Sequence, residues 1–519
     1  MTRHLFALLA LFVAFILPTR APALQTATQP APAAATPAPA PAPANPAPKK
    51  AAAEDQWYIV ELNGQRSGYM HSREERKDGK ITTTSSMVLA IKRGAAALEI
   101  TIDTEFVETE AGKPISMTFA RKLGSQPQST ETRWTDDGVE ITEIQNGNRS
   151  THTAKAPAGE WLTPGAADRY VEAELAKNAK QIGLKTIDPS SGLKVFTVTR
   201  TVLEHTNIDV VGRTVPAIKW ESEASIQPGI KSVEYAGLDG RALRTDINLG
   251  GLTLRMTLAD KDLALAKMNA PELLVSTLVK PDKPINKPRL TKKAVYKLSV
   301  AEGEMPMLLN LATQTCERID AKAVRLTVDV NAKPPAPKED IANHDFSTAT
   351  AMLNSDDPEI RKLLPGAAPD HGMPGLTPEH LRHFTHRFIK TKNFSVGFAS
   401  ASEVARTKTG DCTEHGVFLA ALLRAKGIPS RVVSGLIYVD DFGDKGDIFG
   451  YHMWTQALVT SNGVTRWIDL DGTLPNDVPF DATHIALGTS SLTDEDQQNF
   501  LVALAPLIGR LQITVEKVE

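Results

Sequence analysis

The stretch 408–473 constrains this chain most, because it strings a helix start, a sheet hairpin and three chemically active side chains together at defined spacings. Gly410-Asp411-Cys412-Thr413-Glu414 opens a run in which Val417, Phe418, Ala421, Leu422 and Ala425 recur at helical spacing until Gly427. Asp411 is a good N-cap and Glu414 stands where a capping box needs it, so Cys412 falls in the first helical turn. There the helix dipole and unpaired amides favour a thiolate, while the charge of Glu414 opposes it. Further on, 451–459 and 465–470 read as strands separated by the hairpin signal Ser461-Asn462-Gly463. With Asn462-Gly463 as a two-residue turn, Ser461 faces Val464, Gln456 faces Asp469 and His452 faces Thr473. Asp471 is then the diagonal neighbour of His452 on one face, and Asp469 would replace it only if the turn were longer. A thiol, an imidazole and a carboxylate arranged this way supply a nucleophile, its base and the group that orients the base, which points to cysteine-dependent acyl transfer.

The rest of the chain reads as support for that stretch. Arg3 and His4 precede an apolar run at 5–17, then Pro18 and the small-residue site Ala21-Pro22-Ala23, so 1–23 is expected to be a cleavable export signal; an uncleaved anchor is the other reading. Residues 24–53 are nearly all Ala, Pro, Thr and Gln, a composition that buries no core and extends as a spacer. From 54 to 270 short β-rich runs (57–60, 86–91, 98–102, 194–198, 252–256) alternate with turn signals at Asn63-Gly64, Asp78-Gly79, Asp137-Gly138 and Asp239-Gly240, with one helix expected at 164–175. This is a large, mostly antiparallel β domain without cysteine, suited to binding or scaffolding. Prolines and lysines at 271–289 read as a linker, and 290–337 as a small β segment, either a separate domain or a layer on the core. The last domain, 338–519, begins with helices at 357–364 and 378–390 and ends with a helix at 494–508 and a strand at 512–515.

The site motifs resemble the transglutaminase-like superfamily: Gly-Asp-Cys-x-Glu, an apolar helix, Gly-Ile-Pro-x-Arg-Val-Val-x-Gly from Gly427, His-x-Trp from His452, and Trp-x-x-x-Asp-x-Thr from Trp467. The similarity runs over 356–487 and includes Asp356-Asp357-Pro358-Glu359-Ile360 and Phe398-Ala399-Ser400-Ala401. It implies an α+β chain: a papain-like core, helix packed on antiparallel sheet, behind the β domain, with Cys412 as nucleophile, His452 as base and acid, and Asp471 as third member. Gln456 stands where many members have Glu, and no Trp lies near Cys412 on its N-terminal side after Trp220. The triad is therefore better matched than the transamidation machinery.

Several classes are disfavoured. A formal net charge of −3 leaves no electrostatic footprint for nucleic acid. No cofactor motif is present. His380, His383 and His386 share a helix without an accompanying ligand set, Cys412 and His415 form only half a zinc pattern, and Asp440, Asp441, Asp444 and Asp447 lack calcium-hand order. The only two cysteines, Cys316 and Cys412, could form a disulfide in an exported protein; the reading adopted keeps Cys412 as a thiol. The expected partner is a peptide or protein substrate in a secreted or periplasmic setting, with cell-envelope association. A non-catalytic module binding peptides or envelope material is the alternative, and a metal-dependent hydrolase the third.

Overall fold

The computed structural model describes residues 53–519 except 94–95, 124–125, 146–147, 227–229, 239–240, 249–251, 269–270, 272–277, 302, 370–374, 393–398, 494–506 and 508. The expected export signal, nearly all of the expected spacer, the expected Asp239-Gly240 turn, Phe398 and nearly all of the expected C-terminal helix lie outside these residues. Among the described residues no helix is long and apolar enough to cross a membrane.

The chain is mostly antiparallel β. Fourteen strands between Ala53 and Ala259 form one sheet in which spatial neighbours are sequence neighbours, except that the first strand, Ala53–Leu62, also pairs with the last, Thr253–Ala259. Local hairpins build it. Asn63-Gly64 and Asp78-Gly79 have left-handed φ values of 48° and 74°, and 51° and 72°, the conformation that fits a two-residue hairpin to strand twist. At the third expected turn, Thr135 already pairs with Gly138, so Asp136 and Asp137 make the loop. Strands such as Gln65–Lys77 carry many charged residues, yet Met70 is buried and paired with Tyr58, because only one face of the strand meets the core. The helix Pro164–Ala176 joins the two outer strands and buries Ala167, Val171 and Leu175 against Ile182, Ile218 and Trp220. Its N-cap Thr163 makes no side-chain cap; the Glu108 carboxylate accepts from Gly165 N at 2.9 Å instead.

Residues 279–289 are stitched to the C-terminal half of the chain. Val279 exchanges two backbone hydrogen bonds with Phe449, at 2.9 and 2.7 Å, and Ile285 N donates to Tyr438 Oη at 2.9 Å. A four-stranded sheet then runs in the order Gln314–Asp320, Ala323–Asp329, Lys293–Val300, Leu511–Val518, so the C-terminal strand completes the small β segment. The second four-stranded sheet is Val464–Leu470, Ile448–Ser461, Ser430–Val439, His484–Ser490, antiparallel throughout. Its central strands are buried on both faces, as a sheet covered on both sides must be. The helix Cys412–Ala425 lies against it: Thr455 Oγ1 donates to Gly416 O at 2.9 Å and Ser430 Oγ to Ala420 O at 2.8 Å. One apolar cluster joins Val60 and Leu254 of the large sheet, Tyr296 of the middle sheet, and Phe418 and Tyr438.

Candidate active site

The first helical turn at Cys412 is built by buried polar contacts. Asp411 Oδ1 accepts from Thr413 N at 2.8 Å, and Glu414 Oε2 accepts from Asp411 N at 2.8 Å, completing the expected capping box. The other Glu414 oxygen accepts from Ala399 N at 3.0 Å. This carboxylate, fully buried, thus satisfies two backbone amides, the condition under which a charge can be kept in the interior. Gly410 is required by proximity: a Cβ there would lie 2.2 Å from Glu414 Cβ. Cys412 is the first residue of the helix and is itself fully buried.

The hairpin has the register read from its sequence. Ser461 pairs with Val464 and Gln456 with Asp469, across Asn462 and Gly463 with φ of 51° and 75°. Thr455–Leu470 is the last pair, so Asp471 leaves the strand end on the side of His452, and Asp471 Oδ2 lies 2.8 Å from His452 Nε2. Oδ1 accepts from Thr473 N at 2.8 Å and Thr473 Oγ1 at 2.7 Å, an Asx-type turn that locks the carboxylate. Asp469 has a different task. Its Oδ1 accepts from Trp454 Nε1 at 2.9 Å and Gln456 Nε2 at 2.8 Å, and its Oδ2 from Thr313 Oγ1 at 2.8 Å. Gln456 in turn accepts from Arg431 Nε at 2.9 Å, so this position needs both a donor and an acceptor. A glutamate there would bring a second carboxylate against Asp469.

Two further buried side chains converge on Asp471, and neither was found from sequence. His484, the first residue of its strand, places Nε2 3.3 Å from Asp471 Oδ2 and Nδ1 3.1 Å from Asp481 O. Arg382, on the helix Pro378–Phe388, donates to the carbonyls of Asp471, Leu474, Pro475 and Asn476 at 3.1–3.4 Å and clamps the segment after the hairpin. Burial raises the Asp471 carboxyl, but the charges and hydrogen bonds of His452 and His484 outweigh it and hold the group well below the ordinary carboxylate range. Burial works against a charged His484, yet Asp481 and Asp471 together push it up to about 9. Asp481 is held low by His484 and Arg289 against its own burial. The signal that could have exposed His484 is a repeat: Asp471-Gly-Thr473 and Asp481-Ala-Thr483 make the same turn, Thr483 N donating to Asp481 Oδ1 at 2.9 Å.

The other histidines are engaged separately. His380 Nδ1 accepts from Thr377 N at 3.2 Å within a capping box, His383 lies 3.0 Å from Glu379, and burial lowers the His386 imidazole. Asp447 accepts from Asp441 N at 3.1 Å in the loop before the His452 strand. Cys316 pairs with Leu326 in the middle sheet; it and Cys412 are not joined in a disulfide, and burial raises the Cys316 thiol. His452, Asp471 and His484 each bring one donor atom within 4.8 Å of the others. Their contacts are those of hydrogen bonds: at 2.8 Å, His452 Nε2 and Asp471 Oδ2 are closer than two ligands at about 2.0–2.1 Å from a tetrahedral zinc ion normally stand.

Three solved structures give distant likenesses. A beta-barrel-like protein of a domain of unknown function from Brucella abortus aligns over 40% of this chain and 95% of its own, with 12% identity and a TM-score of 0.31. A "Putative Cysteine Protease" from Cytophaga hutchinsonii aligns over 44% and 86%, with 12% identity and a TM-score of 0.24. A "putative protease" from Parabacteroides distasonis aligns over 68% and 63%, with 12% identity and a TM-score of 0.16. At such scores these likenesses assign no fold. No curated protein matches the chain. Residues 381–472, a span that includes Cys412, His452 and Asp471, match the model of the transglutaminase-like superfamily.

Proposed function

We propose that this is an exported thiol enzyme acting on amide bonds of peptide or protein substrates, with Cys412 as nucleophile, His452 as acid and base, and Asp471 as orienting carboxylate in a papain-like helix-on-sheet core. The observation that carries the reading is the 2.8 Å contact between His452 Nε2 and Asp471 Oδ2, beside a helix that begins at Cys412. With Nε2 held by the carboxylate, His452 Nδ1 takes the Cys412 proton. The sulfur attacks the carbonyl carbon, and Nδ1 returns the proton to the departing amine as the C–N bond breaks. Water or an amine then attacks the thioester, gives its proton to Nδ1, and releases acid or new amide with the thiol restored. Asp471 stays ionised throughout. The amide at the helix start is the donor proposed for the carbonyl oxygen in the transition state. Export rests on the 1–23 signal, and envelope association on the spacer after it.

One observation favours the alternative, a peptide-binding module without catalysis: the Cys412 side chain is fully buried. Iodoacetamide alkylation against pH separates the two, with Cys316 as internal control and His452→Ala as comparison. Rapid labelling of Cys412 well below the ordinary thiol pKa of about 8.5, slowed in His452→Ala, is the expected result. Labelling of Cys412 as slow as that of Cys316 overturns the enzyme reading.

A further inference from the structure

We propose that His484 is a positioning residue of the Cys412 site, an imidazole that stays protonated through neutral pH, shares Asp471 with His452 and so holds down the proton affinity of His452. This deepens the thiol-enzyme reading and rests on it. The argument begins with which atoms can donate. Nδ1 of His484 faces Asp481 O at 3.1 Å and Asp481 Oδ1 at 3.5 Å; a carbonyl oxygen only accepts, so Nδ1 carries a hydrogen. Nε2 faces Asp471 Oδ2 at 3.3 Å. That carboxylate also accepts at both oxygens, from Thr473 and from His452, and has no proton to give. A bare Nε2 lone pair there would oppose an oxygen lone pair, so Nε2 carries a hydrogen as well and the ring is a cation.

The charges around it close. Arg289 Nη1, on a partly exposed side chain, binds Asp481 Oδ2 at 2.7 Å, giving the chain Arg289, Asp481, His484, Asp471 two positive and two negative charges. Neutral His484 would leave two buried carboxylates to one partly exposed guanidinium, at a high solvation cost. The remaining groups packed on the ring are apolar or aromatic: Phe480 stacks with a centroid distance of 4.2 Å, Trp454 meets it edge-on at 5.4 Å, and the His452 ring is 5.7 Å away. A carboxylate facing one imidazole stabilises its protonated form; one already neutralised by a second imidazolium does so much less. His452 is therefore kept closer to neutral and available as a base, and its orientation is retained because the hydrogen bond to Asp471 is unchanged.

Imidazole NMR of the full chain with labelled histidine, in a Cys412→Ser background and assigned with His452→Gln and His484→Gln, tests this without requiring any activity. The expected result is a His484 ring that stays doubly protonated through pH 8, and a His452 midpoint that rises by about one pH unit, tenfold in proton affinity, in His484→Gln. Asp481→Asn, which keeps the ring but removes its second anion, shifts His452 in the same direction and decides the matter should His484→Gln not fold. A purely structural His484 would alter stability and leave the His452 midpoint where it was. An unmoved midpoint, or a His484 already neutral at pH 7, overturns the proposal. Absence of thiolate reactivity at Cys412 would instead overturn the acyl-transfer reading and leave these midpoints measurable.

Discussion

At the scale of single residues, the buried charge set at Asp471 makes stability depend on pH with a defined sign. His484, pushed up to about 9, contributes stability that is complete below its unfolded value of about 6.5 and is lost as pH rises through the folded value. Asp471 and Asp481, both held low, contribute above their unfolded value of about 3.9 and lose it only as pH falls through their folded values. Asp168, raised to about 8 by burial, adds a separate decline with rising pH that ends near that value. Urea unfolding of wild type and His484→Gln should therefore diverge most at pH 6 and converge toward pH 10; a constant gap between the two curves would contradict the assignment.

At the scale of elements, the site depends on close approach between strands. Gly435 sits where Ser430–Val439 passes both His484–Ser490 and the Trp454 ring, and a Cβ added there would lie 2.1 Å from Ile485 O and 2.7 Å from Trp454 Cη2. Neither a backbone carbonyl nor a packed indole can yield cheaply. Gly435→Ala is expected to destabilise by at least the roughly 1–3 kcal/mol typical of overpacking, read as a lower urea midpoint. It should also separate the strand bearing His484 from the strand bearing His452, so alkylation of Cys412 in the folded variant should lose its wild-type pH profile. By contrast, the Asn462-Gly463 hairpin is set locally. A two-residue turn with both φ values positive permits one register, and that register decides which aspartate reaches His452.

At the scale of the whole molecule, the three sheets share one apolar core, and the last strand closes it. Leu511–Val518 pairs with Lys293–Val300, buries Ile513 and Val515, and its Val515 amide donates to Asp282 Oδ1 at 2.7 Å. Deleting 511–519 would leave an open edge on a strand whose Tyr296 hydroxyl donates to Ala482 O, next to Asp481. The expected outcome is loss of solubility or a strongly lowered thermal midpoint, with disturbance of the His484 resonances. A truncated chain with wild-type stability would show that the middle sheet does not support the site.

Much of the site was legible because its determinants are local. The capping box around Cys412, the helical run to Gly427, and the register placing Asp471 beside His452 each follow from residues within one element or one hairpin, where backbone geometry leaves few options. The organisation of the large sheet was legible only in part, since strands such as Gln65–Lys77 show their apolar residues to the core on one face and charge on the other, which blurs any run of β-formers. What only the tertiary structure decided is who else meets Asp471. Arg382 arrives from a helix about ninety residues earlier in the chain, and His484 by the pairing of Ser430–Val439 with His484–Ser490 across some fifty residues. Arg289 comes from the stretch that reads as a linker. Such contacts leave no period and no spacing in the sequence, because side-chain partners across sheets are set by the order in which strands pack rather than by their distance along the chain.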